Sequence, residues 1–413
     1  MTNKSLFSML PFHYGWVVVF SGTLGVLACL GFGRFTIGML LPSIGESLNL
    51  TYSQMGFIST GNFLGYLAAV LISGLWAIRI GARRLIFIAL ILVGATMILS
   101  SMADGFLYLL ITFTLTGIGS GASNVPIMAL VTSWFGKRLR GRAAGFVVAG
   151  SGFAIIFSGR FIPFVNDASI TGEGWRTAWL ILGVIVLLIA FICLLLLRDR
   201  PADLGLKQAG YDENIDSPPS EINRGGQQSL YKRGIIYYLG IIYFFFGFTY
   251  VIYITFIVTT LIKERGITEI MAGNLWSTIG FLSLFSGPVF GLLSDKYGRK
   301  AGLITVFSFQ MFAYLFIASE LPDIFLYLSI GLFGVVAWSI PSIMAATVYD
   351  YVKSEKAAAA FGIVTFIFGI GQIVGPAVAG TLAEASGSFS SSFYMAAAFA
   401  GFAIILTTFL KKT

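Results

Sequence analysis

The stretch "FGLLSDKYGRK" (residues 290–300) ends one long apolar run and leads into the next. A related stretch, "SGLWAIRIGARR" (residues 73–84), has the same kind of place earlier in the chain. In both, the apolar run ends in a basic residue, a glycine and further basic residues. Gly298 follows Gly81 by 217 residues (298 − 81). A loop repeated at this distance indicates a chain built from two related halves.

Long apolar runs dominate the sequence on both sides of these loops. The 413 residues are 57% hydrophobic and 11% charged, with a mean hydropathy of +0.89, whereas soluble domains carry about 25% charged residues. A helix needs about 20 apolar residues to cross a membrane. Twelve runs meet this condition: 15–41, 54–78, 84–103, 105–135, 142–165, 176–197, 234–262, 271–294, 301–319, 322–349, 357–383 and 389–410. We therefore predict an all-α membrane protein with twelve transmembrane helices, spans 1 to 12.

The repeat covers six spans in each half. "GSGASNVPIMA" in span 4 is similar to "GVVAWSIPSIMA" in span 10, with Pro126 in the place of Pro341. Between the halves, the polar residues 198–233 include a Pro-Pro pair, which is typical of a linker. We predict an N-terminal six-helix bundle (1–197), a cytoplasmic linker (198–233) and a C-terminal six-helix bundle (234–413). Two such bundles around a midplane site are typical of secondary transporters.

The basic residues indicate the orientation of the chain. A net charge of +8 could suggest a nucleic-acid partner, but 21 of the 26 Lys and Arg residues fall on one side of the twelve spans. The exceptions are Arg34, Arg160, Arg176, Lys263 and Arg265. Cytoplasmic loops of membrane proteins are enriched in Lys and Arg. We therefore predict a multi-pass protein, of the bacterial inner membrane, with both termini cytoplasmic, the lipid bilayer as its surroundings and no nucleic-acid partner.

The loop at residues 291–300 resembles the loop motif of the major facilitator superfamily, and span count, repeat and linker extend this resemblance over the whole chain. The family's carboxylate in this loop braces the cytoplasmic helix ends and favours one gating state. The first-half copy departs from the motif, because Ile78 stands where the second half has Asp295. The resemblance implies these gating residues: Gly291, Asp295, Gly298, Arg299, Arg79 and Arg83.

Three further stretches resemble the monocarboxylate transporters and the oxalate–formate exchangers. They are "HYGWVVV" (13–19), "NVPIMALVTSWFGKRLRGRAAGFVVAGSG" (124–152) and "GFGRFTIG" (31–38). The monocarboxylate carriers place a substrate-binding lysine in helix 1, and Arg34 falls at the matching place. "GFGRFTIGMLLP" (31–42) and "GQIVGPAVAG" (371–380) also resemble a poorly characterised group of bacterial carriers. Span 8 lacks the Asp and Arg of the monocarboxylate carriers, so the resemblance does not imply proton coupling by that pair.

Arg34 is a permanently charged side chain inside a long apolar run. A membrane arginine costs roughly 2.5–3.5 kcal/mol, so it usually faces a cavity or a partner. Three interpretations remain open: it binds an anionic substrate, it extends to the outer interface, or it pairs with polar groups of its own bundle. We favour binding, because a guanidinium donates two parallel hydrogen bonds to a carboxylate.

Other polar residues are candidates for completing the site. Arg160 in span 5 is one, although its place near the end of the span favours a position at the outer interface. Asn62 and Tyr66 lie one helical turn apart in span 2, and Asn124 precedes Pro126 by two residues in span 4. The second half offers Tyr250, Tyr253, Trp338, Ser339 and Gln372. For each of them, contact between helices is the alternative interpretation.

The acidic residues limit how transport is coupled. No Asp or Glu is predicted deep within a span, and proton coupling normally needs a titratable group that becomes buried. We therefore expect a small organic anion, a carboxylate in particular, to be moved by alternating access, either in exchange for a counter-anion or with a co-transported proton. We expect a monomer and no cofactor, metal ligand or catalytic residue.

Three other functions are possible for a protein with these spans. The main alternative is a proton-driven exporter of drugs or other hydrophobic compounds, but span 5 has "FSGRFIP" in the place of the Gly-Pro-rich exporter motif and Phe113 stands where exporters carry an arginine. A membrane sensor needs a signalling domain larger than the linker. A membrane enzyme needs a nucleophile–base pair or a metal cluster, and no such pattern is present.

Overall fold

Long apolar helices form the protein in the computed structural model, which describes residues 12–170, 172–213, 234–352 and 354–410. Within these residues, twelve helices are long and apolar enough to span a membrane. Spans 1 to 12 are Gly15–Ser47, Tyr52–Ile80, Ala82–Ser100, Phe106–Trp134, Lys137–Asp167, Gly174–Leu196, Gly234–Glu264, Glu269–Tyr297, Arg299–Ala318, Asp323–Tyr351, Lys356–Ser386 and Ser390–Thr408. The predicted spans are confirmed, and the largest difference is six residues (47 − 41) at the end of span 1. The chain is a multi-pass integral membrane protein.

Helices are the natural solution for these segments because a membrane offers no water to their backbone groups. Each helix satisfies its own N–H and C=O groups internally. The predicted linker is described only up to residue 213, and the part 214–233 lies outside the described residues, as do residues 1–11 and 411–413.

Chain contacts group the described residues into two units. Unit 1 takes those within 1–36, 64–154 and 176–222, and unit 2 takes those within 37–63, 155–175 and 223–413. We call the span ends next to Arg79, Lys137 and Lys296 the basic end, and the opposite span ends the far end. Unit 2 therefore joins the far ends of spans 1, 2 and 5 to the second half of the chain. The bundle boundaries predicted at residues 197 and 234 stay a prediction.

Small residues allow spans to approach closely at the far end of unit 2. A Cβ atom on Gly56 of span 2 would lie 2.3 Å from the carbonyl oxygen of Pro376 in span 11. A Cβ on Gly273 of span 8 would lie 2.0 Å from the carbonyl oxygen of Gly159 in span 5. Real Cβ atoms do not reach such distances, so only glycine permits these two crossings.

Two spans depart from regular α-helix near their middle. Span 1 contains a π-helical segment, Leu27–Phe35, between the α-helices Gly15–Val26 and Ile37–Ser47. Span 10 is divided into the helices Asp323–Val336 and Ser339–Tyr351. Pro341 lies in the first turn of the second piece, where a residue without an N–H is tolerated. Single π turns inside α-helices occur frequently at functional sites.

The described part of the linker lies against the loop between spans 4 and 5, within unit 1. The backbone N–H of Ala209 donates to the carbonyl oxygen of Trp134 (2.9 Å), and that of Gly136 donates to Ala209 (3.0 Å). Trp134 Nε1 donates to the carbonyl oxygen of Arg198 (2.9 Å). The first part of the linker is therefore bound to the basic end of unit 1.

Candidate functional site

Arg34 lies in the π-helical segment of span 1 and is 5% exposed. Its guanidinium carbon is 4.2 Å from the ring centroid of Tyr66 in span 2. A cation in this position over an aromatic face is attracted by the ring quadrupole. The buried charge is thus held against an aromatic surface of unit 1.

Asn124 of span 4 completes a three-residue cluster in unit 1. Its Nδ2 donates to the Tyr66 hydroxyl oxygen at 2.9 Å, and Arg34 also hydrogen-bonds to this hydroxyl. Spans 1, 2 and 4 each supply one member. We call Arg34, Tyr66 and Asn124 the arginine cluster.

The π segment that carries Arg34 is fixed by close contacts with its neighbours. Ser120 Oγ of span 4 donates to the carbonyl oxygen of Cys29 (2.7 Å), and Thr36 N–H donates to Gly31 in the i to i−5 pattern of a π turn (3.1 Å). A Cβ on Gly31 would lie 2.0 Å from the Ala154 Cβ in span 5. Glycine at this position therefore lets span 1 pack tightly where its backbone is irregular. Ser120 was missed by the sequence analysis, since one serine among many gives no signal.

Three candidates of the second half meet in unit 2. Gln372 Nε2 of span 11 donates to the Tyr250 hydroxyl of span 7, and the Trp338 ring lies edge-on to Tyr250 at 5.8 Å. Phe246 stacks on Tyr250 with ring centroids 4.8 Å apart. We call Tyr250, Gln372 and Trp338 the tyrosine cluster, which lies beside the break in span 10.

Two other candidates of the second half make contacts between helices. The Tyr253 hydroxyl pairs with Ser329 Oγ at 2.8 Å, and the ring is fully buried and stacked on Phe333 at 4.1 Å. Ser339 Oγ donates to the carbonyl oxygen of Ser286 in span 8 (3.0 Å). Among the described residues, these two side chains therefore bond to Ser329 and Ser286 and not to the tyrosine cluster.

Asn62 and Arg160 belong to unit 2, whereas Arg34 belongs to unit 1. Asn62 is buried on the far-end part of span 2. Arg160 is exposed on span 5, on the same helix face as the exposed rings of Phe153, Phe157 and Phe164. An exposed aromatic face suits lipid, so this position favours the interfacial interpretation of Arg160.

The basic end of the second half carries the charged group that the sequence pattern indicated. Arg299 pairs with Asp295, and its Nε donates to Asp350 at the end of span 10 (2.8 Å). Gly298 has φ +94°, a conformation that favours glycine, whereas a Cβ on Gly291 would meet no atom within 4 Å. Asp350 was not predicted as a gating residue, since its only sequence signal was a place near a span end.

The basic end of the first half is built differently. Ile78, in the place of Asp295, is 83% exposed, and Ala82 stands where the second half has Arg299. Asp199 of the linker accepts from the Arg83 N–H at 2.8 Å, and Arg83 Nε donates to the carbonyl oxygen of Leu194 (2.7 Å). Arg79 is exposed. At this end the start of span 3 therefore binds a carboxylate from the beginning of the linker.

Within the spans that the structure describes, acidic residues occur only near the ends. Every Asp or Glu within a span, such as Glu46, Asp167 or Glu384, lies in its first or last turn. Among these same residues, no group of three or more His, Cys, Asp and Glu side chains could hold a metal ion. Cys29 and Cys193 are free thiols, both buried.

Comparison with known proteins agrees with this architecture. The family model described as "Uncharacterised MFS-type transporter YbfB" matches residues 26–408. A hexuronate transporter of Bacillus subtilis (strain 168) is 24% identical, over 94% of this chain and 92% of its own length. Human monocarboxylate transporter 2 is 25% identical, over 91% of this chain and 81% of its own length.

A solved structure has the same fold. The bacterial homologue of the human lysosomal transporter Spinster superposes with a TM-score of 0.72 at 18% identity, covering 96% of both chains. The relatives are transporters and not enzymes, as the sequence predicted. The protein therefore belongs to the major facilitator superfamily, in the family described as uncharacterised MFS-type transporters.

Proposed function

We propose that this protein is a secondary transporter of small organic anions with a single carboxylate, working by alternating access. The observation that carries the proposal is the guanidinium of Arg34, buried in the middle of span 1, with its carbon 4.2 Å from the ring centroid of Tyr66. Of the two arginines inside apolar runs, Arg160 is exposed and Arg34 is buried. A binding role explains why the sequence keeps an expensive charge at this depth.

The shape of the guanidinium determines how Arg34 would recognise an anion. The N–H donors of a guanidinium lie in its own plane, and a carboxylate accepts two of them side by side. The Tyr66 ring lies 4.2 Å from the guanidinium carbon, and recognition of a carboxylate would use the in-plane N–H donors. An arginine keeps its charge at every physiological pH, so this donor does not depend on proton concentration.

The Tyr66 hydroxyl supplies a further hydrogen-bond donor. Its oxygen accepts from Asn124 and Arg34, and its own proton meets no acceptor among the described residues. A phenol has one proton to donate, which a substrate carboxylate would accept. Asn124 then acts as a positioning residue that orients the hydroxyl.

The named relatives support an anionic substrate. One is a hexuronate transporter and the other a monocarboxylate transporter, and both names describe molecules with a carboxylate. One buried arginine with neutral donors around it suits a monoanion better than a dianion, because a second charge would need a second cation.

Coupling follows from the position of the acidic residues. With Asp and Glu confined to the first and last turns of the described spans, we propose exchange against a counter-anion, or symport in which the proton travels on the substrate. We further propose that the basic end is cytoplasmic, that the protein is a monomer of the bacterial inner membrane, and that both termini are cytoplasmic.

The test combines binding and transport. Purified protein is titrated with monocarboxylates, dicarboxylates, the primary amides of the same acids and hydrophobic cations, and uptake is measured in proteoliposomes. We expect monocarboxylates to bind, Arg34→Gln to weaken binding by about 100-fold and Arg160→Gln, the matched variant on the exposed face, to leave it unchanged.

Three outcomes contradict the proposal. Transport by Arg34→Gln at the wild-type rate excludes the binding role of Arg34. Tight binding of hydrophobic cations without binding of any carboxylate supports the exporter alternative. Rapid net uptake into vesicles without internal anion excludes obligate exchange and leaves symport.

A further inference from the structure

A polar contact joins three spans at the far end of unit 2. Asn166, at the end of span 5, donates through Nδ2 to Ser43 Oγ of span 1 (3.0 Å) and to Glu269 Oε1 at the start of span 8 (2.5 Å). Spans 1 and 5 come from the first half of the chain and span 8 from the second. This contact, which we call the far-end latch, therefore links the two halves.

The latch lies at the rim of a tight crossing of spans 5 and 8. Deeper in the same crossing, Trp276 Nε1 donates to Ser158 Oγ (3.1 Å) and Ser277 Oγ donates to the carbonyl oxygen of Ile156 (3.0 Å). Alternating access requires this crossing to separate when the far side opens. Glu269 is then transferred between water and a partly buried site.

The charged groups around the latch leave Glu269 without a cation. Asp167, from span 5, faces it with a charge of the same sign. Lys263 of span 7 pairs with Glu46 of span 1 (2.5 Å), and Arg265 donates to the carbonyl oxygens of Ile317 and Ser319. Glu264 accepts from Ser388 and Phe389, and Glu173 from Ser47. No Lys or Arg among the described residues pairs with Glu269.

Asn166 can serve either protonation state of Glu269. In the arrangement described, Nδ2 donates to the carboxylate and the buried Oδ1 has no partner among the described residues. If the amide turns over, Oδ1 accepts from a protonated Glu269 and from the Ser43 hydroxyl, and Nδ2 takes the buried place that Oδ1 holds in the arrangement described. Gly174 leaves room beside the amide, since a Cβ there would come within 2.7 Å of Oδ1.

We propose that Glu269 is the residue through which protons on the far side act on transport, and that protonated Glu269 stabilises the closed far end. The neutral acid loses less hydration on closure than a carboxylate does, and it is not repelled by Asp167. The proton comes from far-side water and stays on the carboxyl group while the latch is closed. The inference uses the alternating access of the proposed function but neither its substrate nor Arg34.

The test measures opening of the far end without substrate. Ser158 is fully buried and accepts from Trp276, so Ser158→Cys, with Cys29 and Cys193 replaced, reports separation of spans 5 and 8 through labelling by a membrane-impermeant maleimide. Labelling is compared between about pH 5 and about pH 8. The labelling rate at Ser158→Cys is divided by the rate at Ile170→Cys, a fully exposed position. This division corrects for the pH dependence of the reaction between a thiol and a maleimide.

We expect the normalised labelling to fall several-fold at the lower pH. Glu269→Gln, which imitates the neutral acid, should be labelled slowly at both pH values, and Asn166→Ala rapidly at both. Glu264→Gln is the matched control, because Glu264 binds the start of span 12 within the same half, and it should keep the wild-type pH response.

Two results overturn the inference. One is an unchanged pH response in Glu269→Gln or in Asn166→Ala. The other is a loss of the pH response in Glu264→Gln that is as large as the loss in Glu269→Gln. The labelling experiment contains no substrate, so its result does not depend on the proposed function. Whether Arg34→Gln loses substrate binding tests the proposed function separately.

Discussion

The arginine cluster and the tyrosine cluster use the same hydrogen bond in different surroundings. In each, a carboxamide donates to a tyrosine hydroxyl: Asn124 to Tyr66 and Gln372 to Tyr250. The first cluster adds a buried guanidinium, whereas the second adds the aromatic rings of Phe246, Phe368 and Trp338. Tyr250 follows Arg34 by 216 residues (250 − 34), which matches the spacing of the repeat to within one residue, so the repeat aligns the two residues. The repeat thus preserves the helical scaffold, while the buried charge belongs to one half.

Replacement of the two aligned residues gives the largest expected difference. Arg34→Gln removes a charge-assisted, two-pronged donor and should lower kcat/KM for uptake by about 100-fold. Tyr250→Phe keeps the ring and removes only a hydroxyl, so its loss should be far smaller. Initial uptake rates in proteoliposomes measure both. Equal losses of uptake rate in the two variants would show that the two clusters contribute equally to transport.

Tyr66→Phe separates the tyrosine hydroxyl from the ring beneath Arg34. Loss of one donor to a charged ligand should weaken binding by about 10-fold, measured by calorimetric titration. Tyr253→Phe is the control, because its hydroxyl pairs with Ser329 inside the packed helices; it should lower thermal stability without changing the Kd. A larger effect of Tyr253→Phe on the Kd would contradict the assignment.

The two carboxamides test the positioning roles. Asn124→Ala leaves the Tyr66 hydroxyl without its orienting donor and should weaken binding of a monocarboxylate by about fivefold. Gln372→Ala should weaken it by about twofold, since no buried cation lies in the tyrosine cluster. The same titration measures both variants. The reverse order would place anion recognition in the second half.

Substitutions at the basic ends of the two halves should have the smallest effect on the protein. Asp295→Asn should shift the protein toward the state open at the basic end, by no more than about threefold, because Asp350 still holds Arg299 and partly exposed ion pairs are weak. Labelling of Gly145→Cys, whose Cβ meets no atom within 4 Å, measures the shift. Arg79→Gln, in the loop that lacks the carboxylate, should shift labelling less. Unchanged labelling in Asp295→Asn would contradict the bracing role.

The sequence predicted much of the fold and part of the candidate site. Runs of apolar residues identified the twelve spans, since the length of a membrane helix is fixed by bilayer thickness. Arg34 stood out because a charge in such a run is rare. Asp199, Asp350 and the far-end latch were not predicted, because an acidic residue at a span end is common and gives no indication of its partner.

The sequence by itself determined the helices, their number, the repeated loop and the depth of the buried charge. Only the tertiary structure decided which polar side chains meet: Arg34 with Tyr66 and Asn124, Gln372 with Tyr250, and Asn166 with Ser43 and Glu269. The physical reason is that a membrane span is apolar on every side, so its sequence pattern does not fix the rotation of the helix toward its neighbours. That rotation follows from close packing of small residues and from hydrogen bonds between helices, which exist only once the spans are assembled.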